Sequence, residues 1–151
     1  MIEFVIPGVP QGKGRPRAAM RGKHIHLYTP AKTATYESTV SLAGYQAMAG
    51  RTPIEGPVMA TLTIKLPIPA SWSKRKQAAA LAGAELPTKK PDADNVIKAI
   101  FDALNGVVWN DDTQAVDMVV RKRYALVPGV AVRISTVQHQ PRDLLTSSGG
   151  A

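Results

Sequence analysis

Residues 91–112 read PDADNVIKAIFDALNGVVWNDD and hold five of the 11 acidic residues of a 151-residue chain whose net charge is +8. Like charges at short range raise one another's pKa and destabilise a fold, so aspartates this dense in a basic protein need a compensating partner. A divalent cation is the usual partner, because Mg²⁺ takes oxygen ligands from carboxylates and leaves other positions to water and substrate phosphates. The stretch therefore predicts a metal site.

The middle of this stretch predicts an α-helix with one apolar side. Asp94 suits the N-cap position, and Asn105-Gly106 is a typical helix end. The apolar residues recur at helical spacing between these limits, at Val96, Ile97, Ile100, Phe101 and Leu104. The helix therefore separates one acidic group at its start from a second acidic group that follows its end.

The chain is expected to bring these two acidic groups together. Asp92 and Asp94 in an extended entry would point the same way, since side chains on a strand alternate. Residues 107–109 predict a short buried strand that returns along the helix towards its start. This strand would deliver one of Asp111 and Asp112 to the first pair, because neighbouring residues in an extended segment face opposite sides.

Such a cluster suits phosphodiester hydrolysis. Metal ions neutralise the phosphate and lower the pKa of a bound water, and a fixed lysine stabilises the charge that develops in the transition state. Lys98 follows Asp94 by one helical turn and would stand on the same helical face. Single aspartates also serve as caps and turns. The D-x-D, the lysine and the second acidic pair together favour a site.

The rest of the chain predicts a single compact domain. Alternating apolar residues predict strands at 2–6, 58–66, 116–126 and 130–137, and apolar periodicity predicts helices at 30–48 and 74–83. The last two strands flank a turn at Pro128-Gly129 and predict an antiparallel hairpin. We expect an α/β (α+β) fold with a mixed sheet and helices packed on it over residues 1–138, and a disordered Ser/Gly-rich tail at 139–151.

Basic residues form two candidate groups for contact with nucleic-acid phosphates. Glycine lets a backbone approach a ligand closely, and arginine matches phosphate oxygens. The first group lies in a Gly/Pro-rich loop, within a segment that has no acid between Glu3 and Glu37, and consists of Lys13, Arg15 and Arg17. The second lies in the first turn of a predicted helix that Ser73 caps, and consists of Lys74, Arg75 and Lys76. A solvated basic surface is the plain alternative for both.

Composition narrows the classes of function. A sequence pI near 10.0 favours nucleic acid or an anionic membrane surface as partner. The absence of cysteine excludes disulfides, thiolate metal sites and thiol catalysis. His24 and His26 alternate in a short strand-like segment, but two histidines without further ligands do not predict a metal site. No apolar run reaches the roughly 20 residues of a membrane helix, and the start lacks a secretory signal. We expect a cytoplasmic protein.

Three segments carry a resemblance to a known family. The run KKPDADNVIKAIFDALNGVVWNDDTQAVD at residues 89–117 resembles the signature of the RusA family of Holliday-junction resolvases, which phages and prophages often carry. GKGRPR at residues 12–17 and IPASWSKRK at residues 68–76 are similar to segments common in that family. Together the similarity covers most of residues 5–124.

This resemblance implies a homodimeric enzyme with a mixed α/β fold that nicks four-way DNA junctions symmetrically, in DNA recombination and repair. It implies Mg²⁺ as the cofactor, with Mn²⁺ as an alternative. Asp92, Asp94 and Asp112 would be the metal-binding catalytic carboxylates and Lys98 the essential lysine. The segment at 105–108 is one residue shorter than in some members, so Asp111 stays an alternative to Asp112.

Two interpretations compete with the endonuclease. The first is a non-catalytic protein that binds branched DNA, in which the aspartates are structural. The second is a metal-dependent phosphohydrolase for nucleotides, which would need a compact concave pocket rather than basic residues scattered along the chain. A pure binding protein gains nothing from carboxylates that repel phosphate, so the aspartates favour the endonuclease. A two-fold dimer also matches the approximate two-fold symmetry of a four-way junction.

Overall fold

Strands and helices follow one another through the whole described part of the chain. A computed structural model describes residues 1–138. In chain order the elements are β1 (Ile2–Pro7), β2 (Arg17–Arg21), β3 (His24–Tyr28), α1 (Ala31–Met48), β4 (Val58–Pro67), α2 (Lys74–Leu81), α3 (Ala93–Leu104), a short 3₁₀ helix (Asp112–Gln114), β5 (Ala115–Ala125) and β6 (Gly129–Thr136). The tail that the sequence predicts to be disordered lies outside the described residues.

A four-stranded mixed sheet with the order β1-β6-β4-β5 forms the centre of the fold. Strand β4 pairs in parallel with β5 and antiparallel with β6. Its alternation is as predicted, because one side of the strand is buried throughout, at Val58, Ala60, Leu62, Ile64 and Leu66. The expected α+β class with a mixed sheet is confirmed.

The predicted hairpin of the last two strands is wrong. Strands β5 and β6 are consecutive in the chain, but β4 lies between them in the sheet. The physical reason is burial. Strand β4 has a fully apolar inner side and takes an inner position, whereas β5 has no fully buried residue and takes an edge. Alternation in the sequence identifies a strand but does not choose its neighbour.

Helices α1 and α3 pack against each other and against one face of the sheet, and all three contribute to one hydrophobic core. The two helices approach closely at Gly44 of α1, where a Cβ atom would lie 2.7 Å from Leu104 Cδ2. The apolar side of α3 faces this core, so its charged side, with Asp94 and Lys98, is exposed. None of the helices within residues 1–138 has the length and apolar character needed to cross a bilayer.

Two local predictions around α3 are corrected. Asp92, not Asp94, occupies the N-cap position, and its side chain makes no capping hydrogen bond. Aspartate is favoured both at the cap and in the first turn, so the sequence alone does not separate the two positions. Residues 107 and 108 belong to a turn rather than a strand, and Trp109 forms only isolated bridges with Ile54 and Asn105.

Candidate active site along helix α3

The exposed side of α3 carries alternating charges at intervals of four residues. Asp94, Lys98 and Asp102 follow one another along this side, as residues four apart do on a helix. The Lys98 ammonium lies 3.7 Å from Asp102 Oδ2, with the Lys98 side chain 64% exposed and that of Asp102 30% exposed. The Lys98 ammonium thus lies near a carboxylate and remains accessible to a ligand.

The segment after α3 folds back against its C-terminal turn. Trp109 is fully buried and packs edge-on against Phe101, with ring centroids 5.0 Å apart. Its indole N–H donates to Asn105 Oδ1 at 2.9 Å. The buried Trp109 side chain therefore fixes the point at which the chain leaves the core, just before Asp111 and Asp112.

Asp111 and Asp112 have different surroundings. Asp111 caps the short 3₁₀ helix: its Oδ1 accepts from the Thr113 amide at 3.1 Å, while its own amide donates to Gln114 Oε1 at 3.0 Å. Gln114 in turn donates to the carbonyls of Ile54 and Gly56. Asp111 therefore has a local structural role, and Asp112 is the member of the pair that faces α3.

Asp112 lies beside Asp102, at the C-terminal end of α3. Partial burial raises the pKa of the Asp112 carboxyl, and the negative charges and hydrogen bonds of Asp102 and Asp111 raise it further. Two like charges this close make the site receptive to a cation or a proton. The sequence predicts Asp102 only as an ordinary residue of the acidic stretch; its spacing of four from Lys98 is the signal that could have identified it.

The glycine-rich loop, which carries Lys13, Gly14 and Arg15, is hydrogen-bonded to both α1 and α3. The Lys13 amide donates to the Asn95 carbonyl at 3.0 Å, and the Gly14 amide donates to Thr33 Oγ1 at 3.0 Å. The Lys13 ammonium pairs with Glu37 and lies 3.3 Å from Asp102 Oδ2. Burial would lower the pKa of Lys13, but the hydrogen bonds to these two carboxylates outweigh it, and the pKa is raised. Lys13 is therefore a charged link between the loop and the site.

A cleft of about 760 Å³ lies between this loop and the start of α3. Four cationic side chains line it together with Asp92 and Asn95, namely Lys13, Arg15, Lys32 and Lys90. The loop and the acidic stretch thus line one concave surface. Such a surface places cations that can bind a phosphate backbone next to a carboxylate. Lys32 and Lys90 were not among the residues that the sequence singled out as phosphate contacts.

The remaining candidate residues lie elsewhere. Arg17 begins the exposed strand β2. The second basic group lies in the first turn of α2, which Ser73 caps as predicted by accepting from the Lys76 amide. The Lys76 ammonium lies 4.0 Å from the centroid of the Trp72 ring. Lys74, Arg75 and Lys76 therefore form a second basic surface, separate from the cleft at the start of α3.

The predicted metal ligands are only partly brought together. Their oxygen donors suit a hard cation such as Mg²⁺ or Mn²⁺. Within residues 1–138, however, no three carboxylate or imidazole groups converge as one metal-binding set. Asp112 lies beside Asp102, whereas Asp92 and Asp94 lie at the other end of α3, with about 12 Å of helix between Asp94 and Asp102. One chain in this conformation does not assemble the predicted three-aspartate site.

Comparison with known proteins supports the family resemblance. The family model described as Endodeoxyribonuclease RusA matches residues 7–135. The chain is also 39% identical over 138 residues to Uncharacterized protein YqaN of Bacillus subtilis (strain 168), a match that covers 90% of this chain and 96% of that protein. The family match includes the glycine-rich loop and the whole of α3. The chain therefore belongs to the RusA endodeoxyribonuclease family.

Proposed function

We propose that this protein is a structure-selective endodeoxyribonuclease that resolves four-way DNA junctions by symmetric phosphodiester hydrolysis, in DNA recombination and repair. The observation that carries the proposal is the cationic cleft at the start of α3, which holds Asp92 and adjoins the charged side of that helix. Membership of an endodeoxyribonuclease family supports DNA as the substrate. The proposed place of action is the cytoplasm of a bacterium or of a phage-infected host cell.

The cleft residues and the charged side of α3 have separate roles in this proposal. Arg15, Lys32 and Lys90 bind the DNA backbone, because their cationic groups line one concave surface. Lys98 has an exposed ammonium held near Asp102, and it stabilises the negative charge that develops on the scissile phosphate. Asp102 limits the positions that the Lys98 side chain adopts.

Asp92, Asp94 and Asp112 are the proposed ligands of a divalent cation, Mg²⁺ or Mn²⁺. When bound, such a cation neutralises the phosphate and lowers the pKa of a water molecule. Asp112 is assigned in preference to Asp111, because the Asp111 carboxylate is engaged as a helix cap. The aspartates lie at two ends of α3, so the proposal requires that DNA, the cation or a second subunit completes the site.

A homodimer is part of the proposal. A four-way junction has approximate two-fold symmetry, and two subunits related by a two-fold axis present two sites with the same relation. Two coordinated nicks then need no second enzyme. The measurement for this part is the mass of the protein alone and on a junction.

A non-catalytic protein that binds branched DNA is the second candidate. The observation that favours it is the separation of Asp112 from Asp92 and Asp94 within the described residues of one chain. The cleft argues against it, because Asp92 in a cationic cleft repels phosphate and weakens simple binding. Cleavage by the wild-type protein decides between the two candidates.

The test is single-turnover cleavage of a labelled four-way junction in Mg²⁺ or Mn²⁺, beside junction affinity, with linear duplex and nucleotides as control substrates. We expect Asp92→Asn, Asp94→Asn and Asp112→Asn each to abolish cleavage and to retain binding, because they keep the basic surface. Lys98→Ala should lower the rate by about 100-fold or more with affinity nearly unchanged. Asp111→Asn is the matched control and should be milder.

The outcomes separate the assignments. Wild-type rates in any of the three variants would remove that aspartate from the site. A larger loss in Asp111→Asn than in Asp112→Asn would reverse that choice. If Lys98→Ala loses affinity in proportion to rate, Lys98 is a general phosphate contact. Binding of junctions by the wild-type protein without cleavage in either metal would favour the non-catalytic candidate, and hydrolysis of nucleotides would favour a phosphohydrolase.

A further inference from the structure

Strands β2 and β3 form a two-stranded antiparallel ribbon separate from the main sheet. Every residue of both strands is exposed. An isolated two-stranded hairpin is at best marginally stable in water, because it buries little apolar surface. A ribbon that residues 1–138, the part of the chain that the structure describes, leave uncovered is therefore a candidate for contact with a partner.

The register divides the ribbon into two faces of different chemistry. Residues directly opposite each other in an antiparallel pair lie on the same face. The first, which we name the cationic face, consists of Arg17, Ala19, Arg21, His24, His26 and Tyr28. The second, which we name the apolar face, consists of Ala18, Met20, Ile25 and Leu27.

The strands that form the cationic face carry no carboxylate of their own. No acidic residue occurs between Glu3 and Glu37, so both strands and the turn that joins them lack negative side chains. Gly22 has a φ of 62°, which suits the tight two-residue turn, and Lys23 follows it at the tip. The ribbon therefore carries positive charge along its length and at its end.

The size of the ribbon argues for DNA and against a second copy as the occupant. A five-residue strand spans about 17 Å, and two strands with their side chains are about 10 Å across. One face thus offers roughly 170 Å², whereas a stable protein interface buries about 800 Å² on each partner. A two-stranded ribbon of this width does fit a DNA major groove, which is about 12 Å wide, and several DNA-binding proteins use such ribbons.

The geometry points to the β2–β3 ribbon as a second DNA contact, in which the cationic face and Lys23 bind the phosphates of a duplex arm of the branched substrate. The inference rests on the proposed function. Arg15 in the cleft and Arg17 at the base of β2 are two residues apart. The ribbon therefore begins two residues after a cleft residue, and in this inference it extends the cationic surface of the cleft.

The test compares the two faces of the same ribbon. The double variant Arg21→Ala/Lys23→Ala removes charge at the far end, and Met20→Gln/Leu27→Gln is the matched control on the apolar face. Affinity for a labelled four-way junction is measured across a salt series. Each phosphate contact contributes about 0.9 to the slope of log K against log salt, so the charge variant should flatten that slope by about one to two units. The apolar-face variant should keep the wild-type slope.

Single-turnover cleavage with saturating protein separates this inference from the proposed function. The charge variant should still cleave under these conditions, because its substitutions leave the proposed catalytic residues Asp92, Asp94, Lys98 and Asp112 in place. A full wild-type slope in the charge variant would overturn the ribbon contact while leaving the nuclease proposal intact. A wild-type protein that binds but does not cleave would overturn the nuclease proposal alone. If the charge variant loses affinity together with a loss of mass in sedimentation, the loss of affinity comes from lost self-association and the inference is wrong.

Discussion

Gly14→Ala tests whether the glycine-rich loop is held on α1 as the structure places it. A Cβ atom at position 14 would lie 2.5 Å from Thr33 Oγ1 and 3.1 Å from Pro30 Cγ. Thr33 is buried and its hydroxyl accepts the Gly14 amide, so neither partner moves away without loss of that bond. The loop is therefore expected to be displaced from α1.

The magnitude follows from three contributions. Forced overpacking costs about 1–3 kcal/mol, and loss of the hydrogen bond from Gly14 to Thr33 costs about 1 kcal/mol. Lower entropy of the unfolded chain offsets about 0.4–1 kcal/mol of this. We therefore expect Gly14→Ala to lower the free energy of unfolding by about 2 kcal/mol. At equal folded fraction it should also weaken DNA binding, because Lys13 and Arg15 flank the displaced residue.

A double-mutant cycle in urea unfolding, followed by circular dichroism, identifies the contact. Thr33→Ala removes the oxygen that the added methyl group at position 14 would strike, so Gly14→Ala should cost much less in that background than in the wild type. Thr33→Ser keeps the oxygen and is the matched control, which should give no such relief. Additivity of Gly14→Ala and Thr33→Ala within about 0.5 kcal/mol would refute the placement of the loop.

Two further predictions concern the carboxylates. Mg²⁺ should raise the melting temperature of the wild-type protein, because a cation that binds only the folded state adds about 2.7 kcal/mol to the free energy of unfolding at 100 times its dissociation constant. A marked loss of stability in the metal-free double variant Asp92→Asn/Asp94→Asn would instead make those aspartates structural. Partial burial and the charges of Asp102 and Asp111 raise the pKa of Asp112 above its ordinary 3.8, so its ionisation destabilises the folded state as the pH rises from 3.8 through the folded pKa. Asp112→Asn should therefore gain stability over the metal-free wild type across that rise, and a pH-independent difference in urea titrations would contradict this.

The sequence predicted the local elements well because side-chain periodicity reports which side of an element is buried. The alternation at 58–66 identified β4, and Ser73 marked the start of α2, both as the structure has them. The apolar residues of α3 likewise identified its buried side and left Lys98 on the exposed one. The family signature in the same stretch also identified the RusA family, which the comparison confirms.

Only the tertiary structure decided which of these elements meet. Strand β4 separates β5 from β6, although those two strands are neighbours in the chain. The same holds in the site, where Lys13 pairs with Asp102 and Asp112 lies beside Asp102 rather than at the start of α3. Periodicity is a property of adjacent residues, whereas these contacts depend on how the core packs Trp109 and orients α1 against α3. Charges that are distant in the chain are brought together by that packing, so no local pattern could have placed them.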